Sequence, residues 1–523
     1  MASTKAKKVN AYQAEKLRQA HQVNVQKAKN EQMFALLGLG HLYPLLNDYG
    51  ILALAKIRIA TTLIQAAPNC NDQRSKEAVE YIKGAFKQFE LNTEVTLLNG
   101  NKITVRDFRT TFTSVFLFFI TNPGNVGPHS VQILTEVYEL FPKYVDIWAG
   151  VNKLCEHFFD DVCTHISSLK YGIYYPKEEV KSGSRRDIND NWSTVPVFAF
   201  NVEIPERKTV AIEGKKREVY HMGFPEFKNG VRWTTVASER LGFAHGQSYP
   251  CYIQQHAIKR LVERIGIFSE SVTVFQACLS MEHSKVLRIP GSDAYYFEFK
   301  IMDIKLGYLV VSLIDDILVV KTFIFVTQSG SPEGKRIETA TGIKRADKDY
   351  IGMGTLKGFL SEDVTKNPKM ALLLEKVGCT DLLKAYDVFS QKVNIKGMQS
   401  TGRIITQFLE KTWAYSNLES IDSYSSDCLA IVPALPPEPI PEPIAVVVEE
   451  VEEEDVVEAA DQEEDAAPVA EASAQKPRSW IMLIVGIMLL PLTLSLVLVL
   501  NLLAWILEGL LSKKGNNPGD NVR

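Results

Sequence analysis

The first third of the chain carries apolar residues at helical spacing. Between Met33 and Lys170 the apolar stretches include MFALLGLGHLYPLL and SVQILTEVYELF, in which apolar positions recur every three to four residues. One interruption is typical of a β-hairpin, because EVTLL and KITV flank Asn99-Gly100, a favoured tight-turn pair. The pattern predicts a mainly helical domain over residues 31–173. A basic polar segment over residues 1–30 precedes it, which we interpret as a solvated helix.

The pattern changes to strand-like runs after residue 190. Short runs such as PVFAFNVEI and KTVAI precede an amphipathic helix at Cys251–Ile267, and SESVTVFQACLSMEH predicts a second helix. Three apolar strands follow, AYYFEFKIMDIK, GYLVVSLI and ILVVKTFIFVTQ, with Asp315-Asp316 as the last turn. Their mixed alternation indicates an antiparallel sheet that is buried on at least one face. Together these elements predict an α+β fold with a central α+β domain over residues 190–400, in which later apolar runs return to helical spacing.

The longest apolar stretch lies near the carboxyl end of the sequence. Residues 480–507 carry no charged side chain, and about 20 apolar residues suffice to cross a hydrocarbon core of about 30 Å. Trp480 and Trp505 stand near its ends, where indoles favour the membrane interface. Pro491 in the middle favours a kinked span and leaves a re-entrant hairpin as the alternative. The sequence predicts a single C-terminal transmembrane helix that binds the lipid bilayer, with a short tail at 508–523 and the body on the cytoplasmic side.

Charge is distributed unevenly between the body and this anchor. The chain has a formal net charge of −4, but residues 433–477 combine proline repeats with a dense run of carboxylates. We interpret this segment as a disordered acidic linker, because proline favours extended backbone and uncompensated carboxylates repel one another. A ligand for a proline-reading domain is the alternative. Without the linker the body is mildly basic, and its scattered single cysteines favour reduced thiols in a cytoplasmic body.

Candidate metal and phosphate sites lack the spacing that such sites need. His157, Asp161 and His165 lie at i, i+4 and i+8 of a predicted helix, which makes a line rather than a cup around an ion. Two glycine-rich stretches miss the spacing of phosphate-binding loops, Gly330–Lys335 and Gly352–Gly358. We therefore expect neither a metal nor a cofactor.

The amphipathic helix of the central domain has a coherent polar face. His256 and Arg260 lie one turn apart on this face, whereas Ile258 and Leu261 point to the opposite side. Glu263 stands at helical spacing from Arg260 and offsets its charge. From these residues alone, the face is either a working site or the solvated side of an ordinary helix.

A resemblance to a known family bears on that choice. The run QQHAIKRLVERIGI, followed by a second helix and three strands, resembles small toxin-like domains of the RelE and barnase ribonuclease superfamily, in which an H-A-x-x-R-x-x-x-R helix packs on an antiparallel sheet. The resemblance covers residues 252–342. It implies a cleft formed by His256, Arg260, Arg264, Lys321, Thr327 and Gln328. It further implies RNA cleavage by a 2′-hydroxyl, with the histidine moving protons and the arginines holding the phosphate.

Two functions of different classes follow from these observations. The first is a membrane-tethered adaptor or structural protein whose basic body binds a protein partner. The second is a membrane-tethered ribonuclease-like effector that uses His256 and Arg260. We favour the first, because no strong catalytic motif accompanies the helix, and whether the chain is an enzyme stays open. The pattern predicts no particular oligomeric state.

Overall fold

A computed structural model of the chain describes residues 2–431, except for 58, 60–61, 184–192, 245, 392–398 and 413–421. The predicted acidic linker (433–477), transmembrane helix (480–507) and tail (508–523) lie outside the described residues. Among the helices that the structure describes, none combines the length and the hydrophobicity that a membrane span requires.

The amino-terminal part of the protein is mainly helical, as predicted. Its helices are α1 (Ala2–Leu36), α2 (Asp48–Lys56), α3 (Gln73–Asn92), α4 (Val105–Asp107), α5 (Thr113–Thr121), α6 (Ser130–Leu140) and α7 (Val145–Ile166). α1 runs through residue 30 without a break, so the basic segment and the helical domain share one helix. In α7, Cys155, Phe159 and Val162 recur at helical spacing and are buried, so they form the core face of this helix.

Two small sheets complete this first core. β2 (Glu94–Thr96) and β3 (Lys102–Thr104) pair antiparallel, which confirms the predicted hairpin. β1 (Leu63–Ala66) pairs in parallel with β5 (Ser193–Glu203), and β5 pairs antiparallel with β4 (Ile173–Gly183). Because aromatic side chains of β5 are buried against the helices, the first core extends past the predicted boundary at residue 173.

The central domain is built on one large sheet. Its strands are β6 (Arg207–Ile212), β7 (Lys215–His221), β10 (Thr235–Ala237), β11 (Ser248–Gln254), β12 (Val286–Arg288), β13 (Tyr295–Ile301), β14 (Ile304–Ile314) and β15 (Ile317–Phe325). Their order is β12-β13-β14-β15-β11-β7-β6, and β10 also pairs with β11. A separate hairpin joins β8 (Gly223–Glu226) to β9 (Gly230–Trp233). The expected antiparallel sheet is confirmed with one difference, since β11 and β15 are parallel.

The turns of the sheet correct one predicted strand. Asp315 and Asp316 both have positive φ (47° and 59°), as the tight turns of two-residue hairpins require, which confirms the predicted turn. Met302 and Asp303 adopt the same conformation (50° and 63°). The run predicted as one strand, AYYFEFKIMDIK, is therefore divided between β13 and the start of β14.

Two helices follow β11 and pack on the sheet, α8 (Gln255–Ile265) and α9 (Glu270–His283). The predicted helix at Cys251–Ile267 begins later than expected, because Cys251, Tyr252 and Ile253 pair with β15 as part of β11. α8 ends at Gly266, whose positive φ of 63° is the usual end of a helix. The apolar face of α8 is buried in the main core.

The remaining described helices lie after the sheet. They are α10 (Pro332–Thr341), α11 (Arg345–Tyr350), α12 (Glu362–Thr365), α13 (Pro368–Val377), α14 (Asp381–Ser390) and α15 (Gln399–Thr412). α13 and α14 confirm the two helical runs expected there. A last segment returns to the edge of the sheet, where Ile431 N donates a hydrogen bond of 2.9 Å to Val286 O.

Candidate functional site

α8 closes an open edge of the central sheet. β11 pairs with β15 only up to Val320, so the later carbonyls of β15 have no strand beside them on that side. The chain turns into α8 at this point, and Gln254 Nε2 donates to Lys321 O. In the last turn of α8, Arg264 Nη1 donates a hydrogen bond to Phe323 O. Two side chains thus replace the missing strand, since unpaired backbone carbonyls in a buried sheet are costly.

This arrangement gives Arg264 a structural task. Its guanidinium is partly buried between the helix and the strand, and that burial, together with the nearby charge of Arg260, lowers its pKa to about 10. The resemblance placed Arg264 in a cleft. The structure places it on α8, where its Nη1 group donates to the sheet. The guanidinium carries further N–H groups that this hydrogen bond does not use.

His256 and Arg260 are exposed on the outer face of α8. Arg260 Nη1 donates a 3.0 Å hydrogen bond to Glu263 Oε2, as helical spacing led us to expect. Partial desolvation lowers the pKa of His256, and the positive charges of Arg260 and Arg264 lower it further. A neutral imidazole at pH 7 is therefore favoured on this face.

A further arginine reaches this face from the neighbouring strand. β7 pairs with β11 so that Gln254 lies opposite Val219. Arg217 lies two residues before Val219 on β7, and its charge contributes to the lowered His256 pKa, so Arg217 lies within electrostatic range of this face. Sequence reasoning missed Arg217, because the strand KREVYH gives no sign of which strand it pairs with.

Lys321 lies at an irregularity of β15. Val310 faces Thr322 and Val311 faces Val320, so Lys321 is an extra residue without an opposite partner in β14. This β-bulge reverses the side-chain alternation of the strand. Before the bulge the even-numbered Leu318 and Val320 lie in the main core, and after it the odd-numbered Phe323 and Phe325 do. The Lys321 ammonium lies 4.0 Å from the carboxylate of Glu213.

The structure does not bring Thr327 and Gln328 to this face in the expected way. β15 ends at Phe325, and the two residues belong to the turn that follows. Thr327 is fully buried and its hydroxyl donates to Met353 O. Gln328 Oε1 accepts a 3.1 Å hydrogen bond from Phe325 N. Both side chains therefore secure the turn, because their polar groups find backbone partners there.

The helix α11, which follows α10 in the chain, adds one more cation. Arg345 is exposed at the start of α11, and its charge, like that of Asp349, affects the pKa of Arg264. We call the face formed by the following side chains the α8 surface: Arg217, His256, Arg260, Arg264 and Arg345. Glu263 and Asp349 offset part of its charge, but basic residues outnumber the acidic ones.

The possible metal ligands that were predicted in a line on α7 are His157, Asp161 and His165. His165 Nδ1 lies 2.7 Å from Asp161 O, a contact within the helix itself. Within the described residues, no three side chains of metal-binding type converge on a common point.

The chain was compared with known proteins. No family model, no curated protein and no solved structure matches it.

Proposed function

We propose that this protein is a membrane-anchored RNA-binding protein, whose body holds the phosphate backbone on the α8 surface. The observation that carries the proposal is the presence of arginine side chains from three separate elements (β7, α8 and α11) within electrostatic range of one helix face. Arginine suits this task, because its planar guanidinium matches phosphate oxygens and keeps its charge at neutral pH. Residues 480–507 would hold this surface near a bilayer, with the acidic linker as a spacer.

Two features favour phosphate binding over a purely structural surface. Arg217 and Arg260 are both exposed. Arg260 makes a helical ion pair with Glu263, which contributes only about 0.3–0.5 kcal/mol and leaves the guanidinium available. Fixed cations around a sheet edge attract a polyanion and release its counterions, which makes binding strongly salt-dependent.

RNA cleavage is the second candidate function. One observation favours it, namely an exposed histidine of lowered pKa that lies within electrostatic range of Arg217. Such an imidazole can accept a proton from a 2′-hydroxyl at pH 7, and the arginines can hold the phosphate. Thr327 and Gln328 do not support this candidate, because the fold uses their polar groups. We therefore place binding first and cleavage second.

The test uses the full-length chain in detergent micelles and a labelled single-stranded RNA. Replacing Arg217 and Arg260 together by alanine should weaken binding roughly 10- to 30-fold at 0.1 M salt, because each phosphate contact contributes a slope of about 0.7 in log affinity against log salt. Fluorescence anisotropy across a salt series measures both the affinity at 0.1 M salt and the slope of log affinity against log salt. Arg288→Ala is the matched control, since Arg288 is exposed on β12 at the other edge of the same sheet.

The outcomes separate the candidate functions. Equal affinity in the double variant and in wild type contradicts the proposal, as does an absence of RNA binding by wild type. The same samples are examined on a denaturing gel for cut RNA. Cleavage that disappears in His256→Ala would move the second candidate into first place, whereas binding without cleavage supports the first.

A further inference from the structure

Tyr350 projects from the protein at the end of α11. Its side chain is 87% exposed, and no other large apolar or aromatic residue among the described ones is exposed to this extent. Two residues close to it in the chain are buried, Lys348 and Ile351, each 1% exposed, whereas Asp349 is exposed. An aromatic ring is therefore presented to solvent from a segment that is anchored in the core on both sides of the ring.

The segment is fixed by contacts that do not involve the ring. Lys348 Nζ donates a 2.7 Å hydrogen bond to Gly334 O and lies 3.2 Å from Glu338 Oε1. Met353 N donates to Lys348 O at 2.9 Å, and the Thr327 hydroxyl donates to Met353 O. The backbone on both sides of Tyr350 is thus held in place, which lowers the entropy that a ligand must remove when it stacks on the ring.

The helix that carries Tyr350 lies near α8. Arg345, at the start of this short helix, and Asp349, the residue before Tyr350, both lie within electrostatic range of Arg264. A side chain placed at Gly354 would meet Asp349 Oδ1 at 3.3 Å and Gln328 Nε2 at 3.0 Å, so Asp349 lies beside the turn that ends β15. Tyr350 is therefore carried by a helix that lies beside the α8 surface and contributes Arg345 to it.

We infer that Tyr350 is a stacking platform for an unpaired base, and that the α8 surface accordingly selects single-stranded over double-stranded RNA. The inference rests on the proposed function. Phosphates of the strand lie along the arginines, and one base leaves the strand to stack on the phenol ring. A duplex cannot do this without breaking a base pair, because its bases stack on one another. Every base has a flat face, so the platform does not depend on sequence.

The experiment compares a single-stranded RNA of about 12 nucleotides with a blunt duplex of the same length, both bound to the full-length chain in detergent micelles. Tyr350→Ala should weaken single-strand binding by at least about fivefold, the lower end of what one stacked base contributes. Duplex affinity and the salt slope of single-strand binding should not change, because no charge is removed. Tyr350→Phe keeps the ring and should bind single strands like wild type.

Two controls make the result specific. Tyr81→Ala removes another exposed tyrosine, on α3 of the helical domain, and should leave RNA affinity unchanged. Thermal unfolding of Tyr350→Ala should match wild type, since the ring is exposed. Equal single-strand affinity in Tyr350→Ala and wild type overturns the inference. If the Arg217 and Arg260 double variant still weakens binding in that case, the proposed function stands without the platform. If neither change weakens binding, both fail.

Discussion

Two groups of charged residues on the central sheet have opposite environments. The α8 surface displays its cations to solvent, with Arg260 44% exposed. On the same sheet, Lys305 of β14 is only 12% exposed and lies 2.9 Å from Glu333 Oε1 and 3.5 Å from Glu298 Oε1. We call the second group the Lys305 network: Lys305, Glu298, Glu333, Tyr308 and Ser426. The difference between the groups distinguishes charge that the fold uses from charge that is available to a ligand.

The Lys305 network compensates its charge internally. Burial alone would lower the pKa of Lys305, but the carboxylates of Glu333 and Glu298 outweigh this effect and raise it. Tyr308 Oη donates a 2.6 Å hydrogen bond to Glu333 Oε1, and Ser426 Oγ donates to Glu298 Oε1 at 3.2 Å. Because the carboxylates of Glu333 and Glu298 neutralise and surround the Lys305 cation, the network offers no charge to a ligand. Its contacts can instead hold the sheet to α10 and to the last described segment.

Removing the cation of the network should have the largest effect on stability. Lys305→Met leaves the Glu333 carboxylate buried without its cation, and breaking a buried ion pair in this way costs about 3–5 kcal/mol. Glu333 is fully buried, and its Oε2 has no hydrogen-bond partner among the described residues. We expect a loss of that order in the free energy of unfolding, measured by urea denaturation of the full chain in detergent.

Lys300→Met is the matched control for this change. Lys300 also contacts Glu298, at 3.4 Å, but it is 41% exposed. An exposed pair contributes at most about 1 kcal/mol, so this variant should unfold close to wild type. Equal destabilisation by the two lysine variants would contradict the view that the network is a buried structural element.

Within the α8 surface, Arg264 should behave more like the network than like its neighbours. Arg264→Ala leaves Phe323 O without its donor at the sheet edge, and loss of a hydrogen bond from a charged group costs about 1.5–3 kcal/mol. Arg260→Ala removes only an exposed pair and should change the free energy of unfolding by less than about 0.5 kcal/mol. The two urea midpoints provide the measurement. A larger loss in Arg260→Ala than in Arg264→Ala would reverse the assignment.

Much of this architecture follows from local pattern. The helical first part, the hairpin at Asn99-Gly100, the turn at Asp315-Asp316 and the order helix, helix and three strands are as predicted, because each depends on residues close in sequence. Strand and helix boundaries were less accurate. The start of α8 was placed within β11, since an apolar run shared by a strand and a helix carries no mark at their junction.

The candidate site needed contacts between distant segments. His256 and Arg260 share a helix, so their common face could be predicted from spacing. Arg217 joins them only through the register of β7 with β11. Thr327 and Gln328 were expected at a cleft, yet Thr327 is buried and bonded to Met353 after α11, and Gln328 accepts a hydrogen bond from Phe325 N in its own turn. A polar residue after a strand gives no local sign of what will pack over it.

Asp160 of α7 offers the smallest of these tests, because it is a partly buried carboxylate with no strong cation beside it. Burial raises its pKa from 3.8 to about 6, although its Oδ1 accepts a 2.8 Å hydrogen bond from Phe227 N. A raised pKa means that the folded protein binds the proton more tightly than the unfolded chain does. The stability from this group is therefore fully present below about pH 4 and is lost as the pH rises through about 6.

Asp160→Asn keeps an oxygen acceptor for Phe227 N and removes the titration. The full rise in pKa corresponds to at most ~3 kcal/mol, and since Asp160 is only half-buried we expect the variant to gain about 1–2 kcal/mol over wild type at pH 8. The gain should be much smaller at pH 4, where Asp160 is neutral in the folded protein and the pH is close to the pKa of the unfolded chain. Urea unfolding at pH 4, 6 and 8 measures the difference. A gain that is constant from pH 4 to pH 8 would show that the Asp160 carboxylate is solvated in the folded protein. Of the two, only the Lys305 network would then contain buried charge.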